Sequence, residues 1–218
     1  TGLTENTNYQ VFVRSNCGAS TSEWSVPISV STRCLPANEL PYTEGFEGAG
    51  GSGAAYFPDC WVRHTDNTTD YPYVSTTQHA EGTSALYFYS TTSTYSLAVS
   101  QGIDLSQVGG ETLLSFKLYK TSAAYGRMDI GLMTDPDNMN TFQLLQSIYP
   151  GDLPSTSTWY DFQVVVPEQS GNVHLAFYTP QGVSSYVYLD AVKLETVQCS
   201  SPTNLTVSNV AGTSAMGS

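Results

Sequence analysis

The most regular feature of the chain is an alternation of apolar and polar residues, with a period of two, in short runs. Such alternation is typical of strands that bury one face and expose the other. No segment keeps a helical period over three turns. The pattern therefore predicts an all-β protein built as an antiparallel β-sandwich. The clearest predicted strands cover residues 9–14, 27–33, 113–119, 128–133, 162–166, 173–178 and 186–194.

Turn-forming residues separate these runs, as in the connectors 135–138 and 150–154, which are rich in Pro, Gly, Asp and Asn. Two connectors differ from the rest because each contains a cysteine followed closely by a proline. They lie at 34–38 and 197–202. We therefore predict three units, residues 1–34, 35–198 and 199–218.

Composition narrows the class of protein. The chain has 218 residues, of which 40% are hydrophobic, enough to build a packed core. Only 12% are charged, about half the usual share, which is a profile of extracellular β-rich modules. The net charge of −12 disfavours nucleic acid and anionic membranes as partners, and it is compatible with bound calcium. The chain has no run of about eighteen apolar residues, so no transmembrane helix is predicted.

The two ends of the chain resemble pieces of fibronectin type III domains. The segment 3–14, followed by 23–27 and 28–32, is similar to the last two strands of such a domain. The segment 201–208, followed by 212–216, is similar to the first strand and the start of the second strand of another copy. The resemblance implies a partial immunoglobulin-like piece at each end of the chain.

The middle unit resembles the cleaved-adhesin or choice-of-anchor J modules of Bacteroidetes surface proteins. These jelly rolls are related in architecture to MAM domains and to many carbohydrate-binding modules. The resemblance implies a jelly-roll sandwich, a location outside the cell or on the bacterial surface, and a role in adhesion or ligand display. It rests on segments in the expected order, namely 42–47, 57–61, 79–86, 130–136 with 141–142, 157–159 and 187–192.

The same resemblance implies one structural calcium ion. In such modules an early strand, a glycine-containing turn and an aspartate on the final strand converge on the metal, and calcium prefers carboxylate and carbonyl oxygens. The implied ligands are Glu47, Asp190 and, from the turn 79–84, Glu81 and Thr83. The alternative is that Glu47 and Asp190 are solvated residues at the rim of a sheet.

Four cysteines at module edges favour disulfides over a zinc site, since the chain has no Cys-x-x-Cys pair. The positions of Cys34 and Cys60 around residues 46–47 resemble the first disulfide of MAM domains, which implies that these two are bonded. Cys17 and Cys199 are either free or paired across a module junction, with Cys17–Cys34 and Cys34–Cys199 as the open alternatives.

Nothing in the sequence predicts catalysis. His64, His79 and His174 are scattered, and no Gly-x-Ser-x-Gly nucleophile elbow accompanies the many serines. We therefore expect a protein that is not an enzyme.

Exposed tyrosines are the remaining candidates for ligand binding, because aromatic rings stack on the apolar faces of sugars. The predicted patch comprises Tyr71, Tyr73, Tyr95 and Tyr125. The opposing interpretation is that Tyr87 and Tyr89 merely cover one face of a strand, with Trp61 and Trp159 in the core.

Two functions stay open at this point. One is a module that binds a glycan or a host extracellular protein. The other is a passive spacer that presents a separate catalytic domain, such as a secreted peptidase or glycosidase, and contacts other modules of the same chain.

Overall fold

A computed structural model describes residues 2–66, 72–121, 125–182 and 184–197, together with the backbone of two strands near the C-terminus. Antiparallel strands dominate it, with three short 3₁₀ turns at Glu47–Ala49, Met139–Thr141 and Pro150–Asp152. The predicted all-β class is confirmed. No helix in the described ranges is both long enough and apolar enough to cross a membrane.

Two six-stranded sheets form the sandwich. Sheet I has the strand order β12-β9-β14-β6-β5, with β3 also paired to β14, and sheet II has the order β11-β10-β13-β7-β4, with β8 also paired to β13. The strands are β3 (Tyr42–Glu44), β4 (Val62–Thr65), β5 (Tyr73–Ser75), β6 (Ala85–Ser90), β7 (Ser96–Val99), β8 (Ile103–Asp104), β9 (Thr112–Lys120), β10 (Met128–Met133), β11 (Gln143–Ile148), β12 (Thr158–Val166), β13 (Asn172–Thr179) and β14 (Ser185–Thr196).

A separate antiparallel pair of strands lies near each end of the chain. β1 (Asn8–Val11) pairs with β2 (Ile28–Ser31), and β15 (Val207–Ala211) pairs with β16 (Ser214–Gly217). β1 and β2 overlap the predicted strands 9–14 and 27–33, whereas β15 shares only residues 207–208 with the predicted segment 201–208. A two-stranded pair alone does not define a fibronectin type III domain. That assignment and the three domain boundaries therefore stay predictions.

The core lies between the sheets and contains a chain of touching aromatic rings. Trp61 contacts Phe46 edge-on at 5.5 Å between ring centroids and stacks on Phe177 at 6.2 Å. Phe177 in sheet II contacts Phe116 in sheet I at 5.5 Å. The Trp61 indole N–H donates a hydrogen bond to the Tyr42 hydroxyl (3.1 Å), so its one polar group is satisfied. Trp61 is thus a core residue, as predicted.

The predicted disulfide between Cys34 and Cys60 is present. It ties the segment before the sandwich to the residue next to Trp61. Cys17 is free and exposed, and Cys199 lies outside the described residues.

Removing this disulfide is expected to lower the free energy of unfolding by about 3 kcal/mol, because an open chain gains loop entropy when it unfolds. The bond spans 26 residues of sequence. Chemical denaturation of the double variant Cys34→Ser/Cys60→Ser measures the loss, and Cys17→Ser is the matched control that should unfold like the wild type. A double variant as stable as the control would contradict the prediction.

Candidate functional site

An aromatic row crosses the outer face of sheet I, the face turned away from sheet II. Each member is the direct cross-strand partner of the next, so the row runs over five of the six strands, in the order β5-β6-β14-β9-β12. Successive ring centroids lie 5.3, 4.4, 5.8 and 5.3 Å apart. The members of this aromatic row are Tyr73, Tyr87, Tyr188, Tyr119 and Trp159.

Strand alternation explains why these residues share a face. In β6, Leu86 and Phe88 point into the core, so Tyr87 between them points outward. In β9, Leu118 points into the core and the next residue, Tyr119, points outward. A second cross-strand pair, Tyr89 and Tyr186, extends the aromatic surface with ring centroids 4.9 Å apart.

Packing within the row changes the acidity of its hydroxyls. Burial raises the pKa of Tyr87 well above the usual range for tyrosine, and the neighbouring tyrosines add to this. Tyr188 at the centre is only 8% exposed, and burial also raises its pKa, against hydrogen bonds from Ser75 and Thr77. Tyr87 and Tyr188 therefore keep their hydroxyl protons at neutral pH, and the row offers apolar ring surface with polar tips.

A polar cleft of about 830 Å³ adjoins the aromatic row on the same face. The cleft is lined by outward-facing residues of β9 and β12 that lie next to Tyr119 and Trp159 on the same face. Among them, Lys117 forms an ion pair with Asp161 across the two strands. The hydrogen bond from Lys117 to Asp161 raises the pKa of the lysine. Further polar residues in the cleft wall are Glu44, Glu81, Ser115, Gln163 and Lys193.

The tyrosine patch predicted from the sequence is wrong as a single surface. Tyr73 belongs to the aromatic row on sheet I, whereas Tyr95 packs edge-on against Tyr178 on the outer face of sheet II. Tyr125 lies in the connection between β9 and β10, with 68% of its surface exposed. Tyr71 lies outside the described residues.

Of two other aromatic assignments, one is confirmed and one is wrong. Tyr87 and Tyr89 do cover one face of a strand, but that face belongs to a continuous aromatic surface. Trp159 lies on the outer face of sheet I as the partner of Tyr119, not in the core between the sheets.

The four predicted calcium ligands lie around one turn, residues 80–84. Glu47 accepts hydrogen bonds from the backbone N–H groups of Thr83 (2.8 Å) and Ser84 (2.9 Å), and from the Thr83 hydroxyl (2.6 Å). These bonds hold the pKa of the Glu47 carboxyl below its usual value. A β-carbon on Gly82 would lie 2.2 Å from Glu47 Oε1, so this close approach requires glycine.

Asp190 holds the other end of the turn. Its Oδ2 accepts hydrogen bonds from the backbone N–H groups of Ala80 (2.6 Å) and Glu81 (3.0 Å), and its Oδ1 accepts from Ala191 (2.6 Å). Ala191 has a φ of 51° within a bulge of β14, a left-handed conformation that is unusual for alanine. Glu47 and Asp190 thus form a carboxylate clamp on the 80–84 turn.

Glu44 lies close enough to Asp190 for the two carboxylates to repel. Burial raises the pKa of Glu44, and the charge of Asp190 raises it further. Burial also raises the pKa of Asp190, which has no solvent exposure, although its three backbone hydrogen bonds oppose this shift. No ion pair within the described ranges neutralises either residue.

These donors fit a hard cation in their chemistry, because carboxylate oxygens are what calcium prefers and because repelling carboxylates are stabilised by a cation. Glu44, Glu81 and Asp190 are the carboxylates that would hold it. Among the residues that the structure describes, however, no three His, Cys, Asp or Glu side chains already form a metal-binding group. Calcium therefore stays a prediction.

Two of the histidines make structural contacts to backbone carbonyls. His64 Nε2 lies 2.7 Å from the oxygen of Pro136, and His174 Nδ1 lies 2.7 Å from the oxygen of Ser100. Both contacts join loops to sheet II. His79, the third histidine, is exposed in the turn region.

Solved structures with a similar fold are cleaved adhesin domains of Lys-gingipain. The K1 domain from Porphyromonas gingivalis W83 is 14% identical, with a TM-score of 0.54 over 73% of this chain and 99% of that domain. The K2 domain is 13% identical, with a TM-score of 0.56 over 72% and 99%. The K3 domain from Porphyromonas gingivalis W83 is 16% identical, with a TM-score of 0.53 over 71% and 96%.

At these identities the likeness shows the fold alone. The sandwich therefore has the cleaved-adhesin fold, as the resemblance implied. No protein-family profile matches the chain, and no curated protein sequence matches it.

Proposed function

We propose that the protein is a non-catalytic extracellular module that binds a glycan chain on the outer face of sheet I. The observation that carries this proposal is the aromatic row, which is continuous over five strands. With strands about 4.8 Å apart, the row spans about 19 Å, which is longer than a single sugar ring.

The chemistry of the face supports a glycan over other ligands. Sugar rings have apolar faces and polar edges, and the aromatic row offers rings with polar tips beside a cleft of hydrogen-bonding groups. In that cleft Ser115, Gln163 and the Lys117–Asp161 pair supply hydroxyl, amide and charged partners. A host extracellular protein is the other ligand that this surface would accept, since tyrosine and tryptophan dominate protein interfaces too.

The fold and the disulfide support the proposed location and role. The solved domains with this fold are named adhesins, which favours a role in attachment at a bacterial surface. A disulfide is typical of an oxidising compartment, which favours the cell exterior. Contacts with neighbouring modules of the same chain belong to the same proposal.

The second candidate function is a passive spacer, and the burial of Tyr188 favours it. A ring that is 8% exposed and packed between its neighbours stabilises a sheet whether or not a ligand binds. In this interpretation the aromatic row holds five strands together and the protein presents another domain.

A panel of soluble oligosaccharides separates the two functions. Because Trp159 lies at one end of the row, a bound glycan is expected to change its fluorescence in a saturable way. Affinity electrophoresis through gels containing polysaccharide is the independent measurement. A protein that responds to no glycan in either assay would contradict glycan binding on this face.

We also propose a structural calcium ion at Glu44, Glu81 and Asp190, adjoining the predicted ligands Glu47 and Thr83. Calcium at a hundredfold excess over its dissociation constant is expected to stabilise the fold by about 2.7 kcal/mol. The melting temperature should therefore rise by about 5–10 °C over that in chelator. Magnesium at the same concentration is the control. Equal melting temperatures with calcium and with chelator would contradict the proposal.

A further inference from the structure

A second, smaller pocket lies at the end of the sandwich where three connections meet. The described parts of these connections are residues 125–127 before β10, residues 149–157 between β11 and β12, and residues 180–182 and 184 between β13 and β14. The backbone N–H of Gly126 donates to the oxygen of Ser184 (3.0 Å) and so links two of these connections. The pocket has a volume of about 380 Å³, and its lining residues are Tyr125, Gly126, Arg127, Tyr149, Pro180 and Gln181.

Arg127 is held in this pocket by a buried carboxylate. Its Nε donates to Asp129 Oδ2 (3.0 Å), and its second terminal nitrogen lies 3.0 Å from the same oxygen. The Ser147 hydroxyl donates to the other oxygen of Asp129 (2.6 Å). The Asp129 side chain is 5% exposed and the Arg127 side chain is 44% exposed. Asp129 therefore fixes one edge of the guanidinium, and Tyr149, which lines the pocket with Arg127, also forms a side-chain hydrogen bond with it.

This arrangement leaves Arg127 able to bind a second acidic group. A guanidinium has five N–H donors in a planar fork; Asp129 engages two of them, and Arg127 also forms a side-chain hydrogen bond with Tyr149. A fork that is already oriented loses little entropy when it binds a carboxylate with two parallel hydrogen bonds. The chain has only seven basic residues against nineteen acidic ones, so few positions attract a negative ligand.

Two exposed aromatic side chains flank the guanidinium. Tyr125 is 68% exposed and Tyr149 is 51% exposed, and both line the same pocket. Arginine and tyrosine together are typical of binding hot spots. The planar rings suit the apolar face of a sugar, and the guanidinium suits a carboxylate on the same sugar.

We propose that the Tyr125–Arg127–Tyr149 pocket binds one acidic sugar, with its carboxylate against Arg127 and its ring against the two tyrosines. This subsite shares no residue with the aromatic row. The proposal therefore stands or falls independently of glycan binding on sheet I.

The matched probes are methyl α-D-glucuronide and methyl α-D-glucoside, which differ in the carboxylate. Titration of the ¹⁵N-labelled protein is expected to shift the backbone signals of residues 125–127 and 149 with the glucuronide only. Arg127→Lys keeps a cation for Asp129 but loses the fork, and it should weaken glucuronide binding about tenfold. Tyr125→Ala removes an exposed ring at little cost to folding and should also weaken it several-fold.

Other results would overturn the assignment. If the glucoside binds as tightly as the glucuronide, the carboxylate does not contribute to binding. If acetate binds as tightly as the glucuronide, the sugar ring does not contribute. Both variants binding the glucuronide like the wild type would place the ligand elsewhere. A loss of glucuronide binding in Tyr119→Ala, with the pocket intact, would assign that ligand to the aromatic row instead.

Discussion

Asp190→Ala is expected to lower the free energy of unfolding by about 4 kcal/mol, because it leaves three partly buried N–H donors without their acceptor. The carboxylate of Asp190 accepts hydrogen bonds from Ala80, Glu81 and Ala191 and has no exposure to solvent. For a domain of this size the loss corresponds to a melting temperature lower by about 8–16 °C. Thermal and urea unfolding in the presence of chelator measure it, so that bound metal does not contribute.

The controls separate hydrogen bonding from charge and from position on the strand. Asp190→Asn keeps one acceptor oxygen and should lose less stability than Asp190→Ala. Glu195→Ala removes a partly exposed carboxylate from the same strand, whose partner Lys193 is also at the surface, and should change stability by less than about 0.5 kcal/mol. If Asp190→Ala unfolds like Glu195→Ala, the carboxylate clamp does not stabilise the fold.

Replacing the end residues of the aromatic row is expected to have the largest effect on ligand binding. Tyr73→Ala and Trp159→Ala each remove an aromatic surface at one end, on the outermost strands of the five-strand order. Truncation of an aromatic contact that anchors a ligand costs about 2 kcal/mol, which is about 30-fold in the dissociation constant. Isothermal titration with an oligosaccharide that the wild type binds measures each loss.

Tyr95→Ala is the matched control for these variants, because it removes a partly buried tyrosine from the outer face of the other sheet. It should bind the oligosaccharide like the wild type. Unfolding curves of all three variants show whether a loss of binding reflects a loss of structure. Equal weakening by Tyr95→Ala, or none by the row variants, would count against the outer face of sheet I as the binding surface.

The strands that the sequence predicted are the long ones whose alternation is uninterrupted. Residues 113–119 and 173–178 fall within β9 and β13, where buried and less buried positions alternate along most of the strand. Short strands such as β5 and β8 cannot be predicted from alternation, because two or three residues are too few to show a period. Their extended conformation depends on pairing with distant strands, β6 and β13 respectively.

The aromatic row shows why a site can be hidden in a correctly predicted strand. Alternation indicates that Tyr87 and Tyr89 share a face, and likewise Tyr186 and Tyr188. It does not indicate that β14 lies between β6 and β9, or that the register places Tyr188 opposite both Tyr87 and Tyr119. Strand order and register arise from long-range packing, so the alternation within single strands does not indicate which tyrosines lie side by side.

Trp159 illustrates the same limit for a single residue. Large aromatic residues are usually buried, which favoured the core for both Trp61 and Trp159. The alternation in β12 decides otherwise, because Phe162, Val164 and Val166 occupy the inward positions and Trp159 has the opposite parity.

The indole N–H signals of the three tryptophans test the proposed binding face most directly. The chain has only Trp24, Trp61 and Trp159, so an ¹H–¹⁵N spectrum resolves one indole signal from each. On titration with a bound oligosaccharide, the Trp159 signal is predicted to move progressively and to saturate. The Trp61 signal should stay in place, because this residue is buried and its indole N–H is hydrogen-bonded to Tyr42. The Trp24 signal should also stay in place, because Trp24 lies outside the sandwich. A stationary Trp159 signal at saturating ligand would contradict glycan binding on the aromatic row.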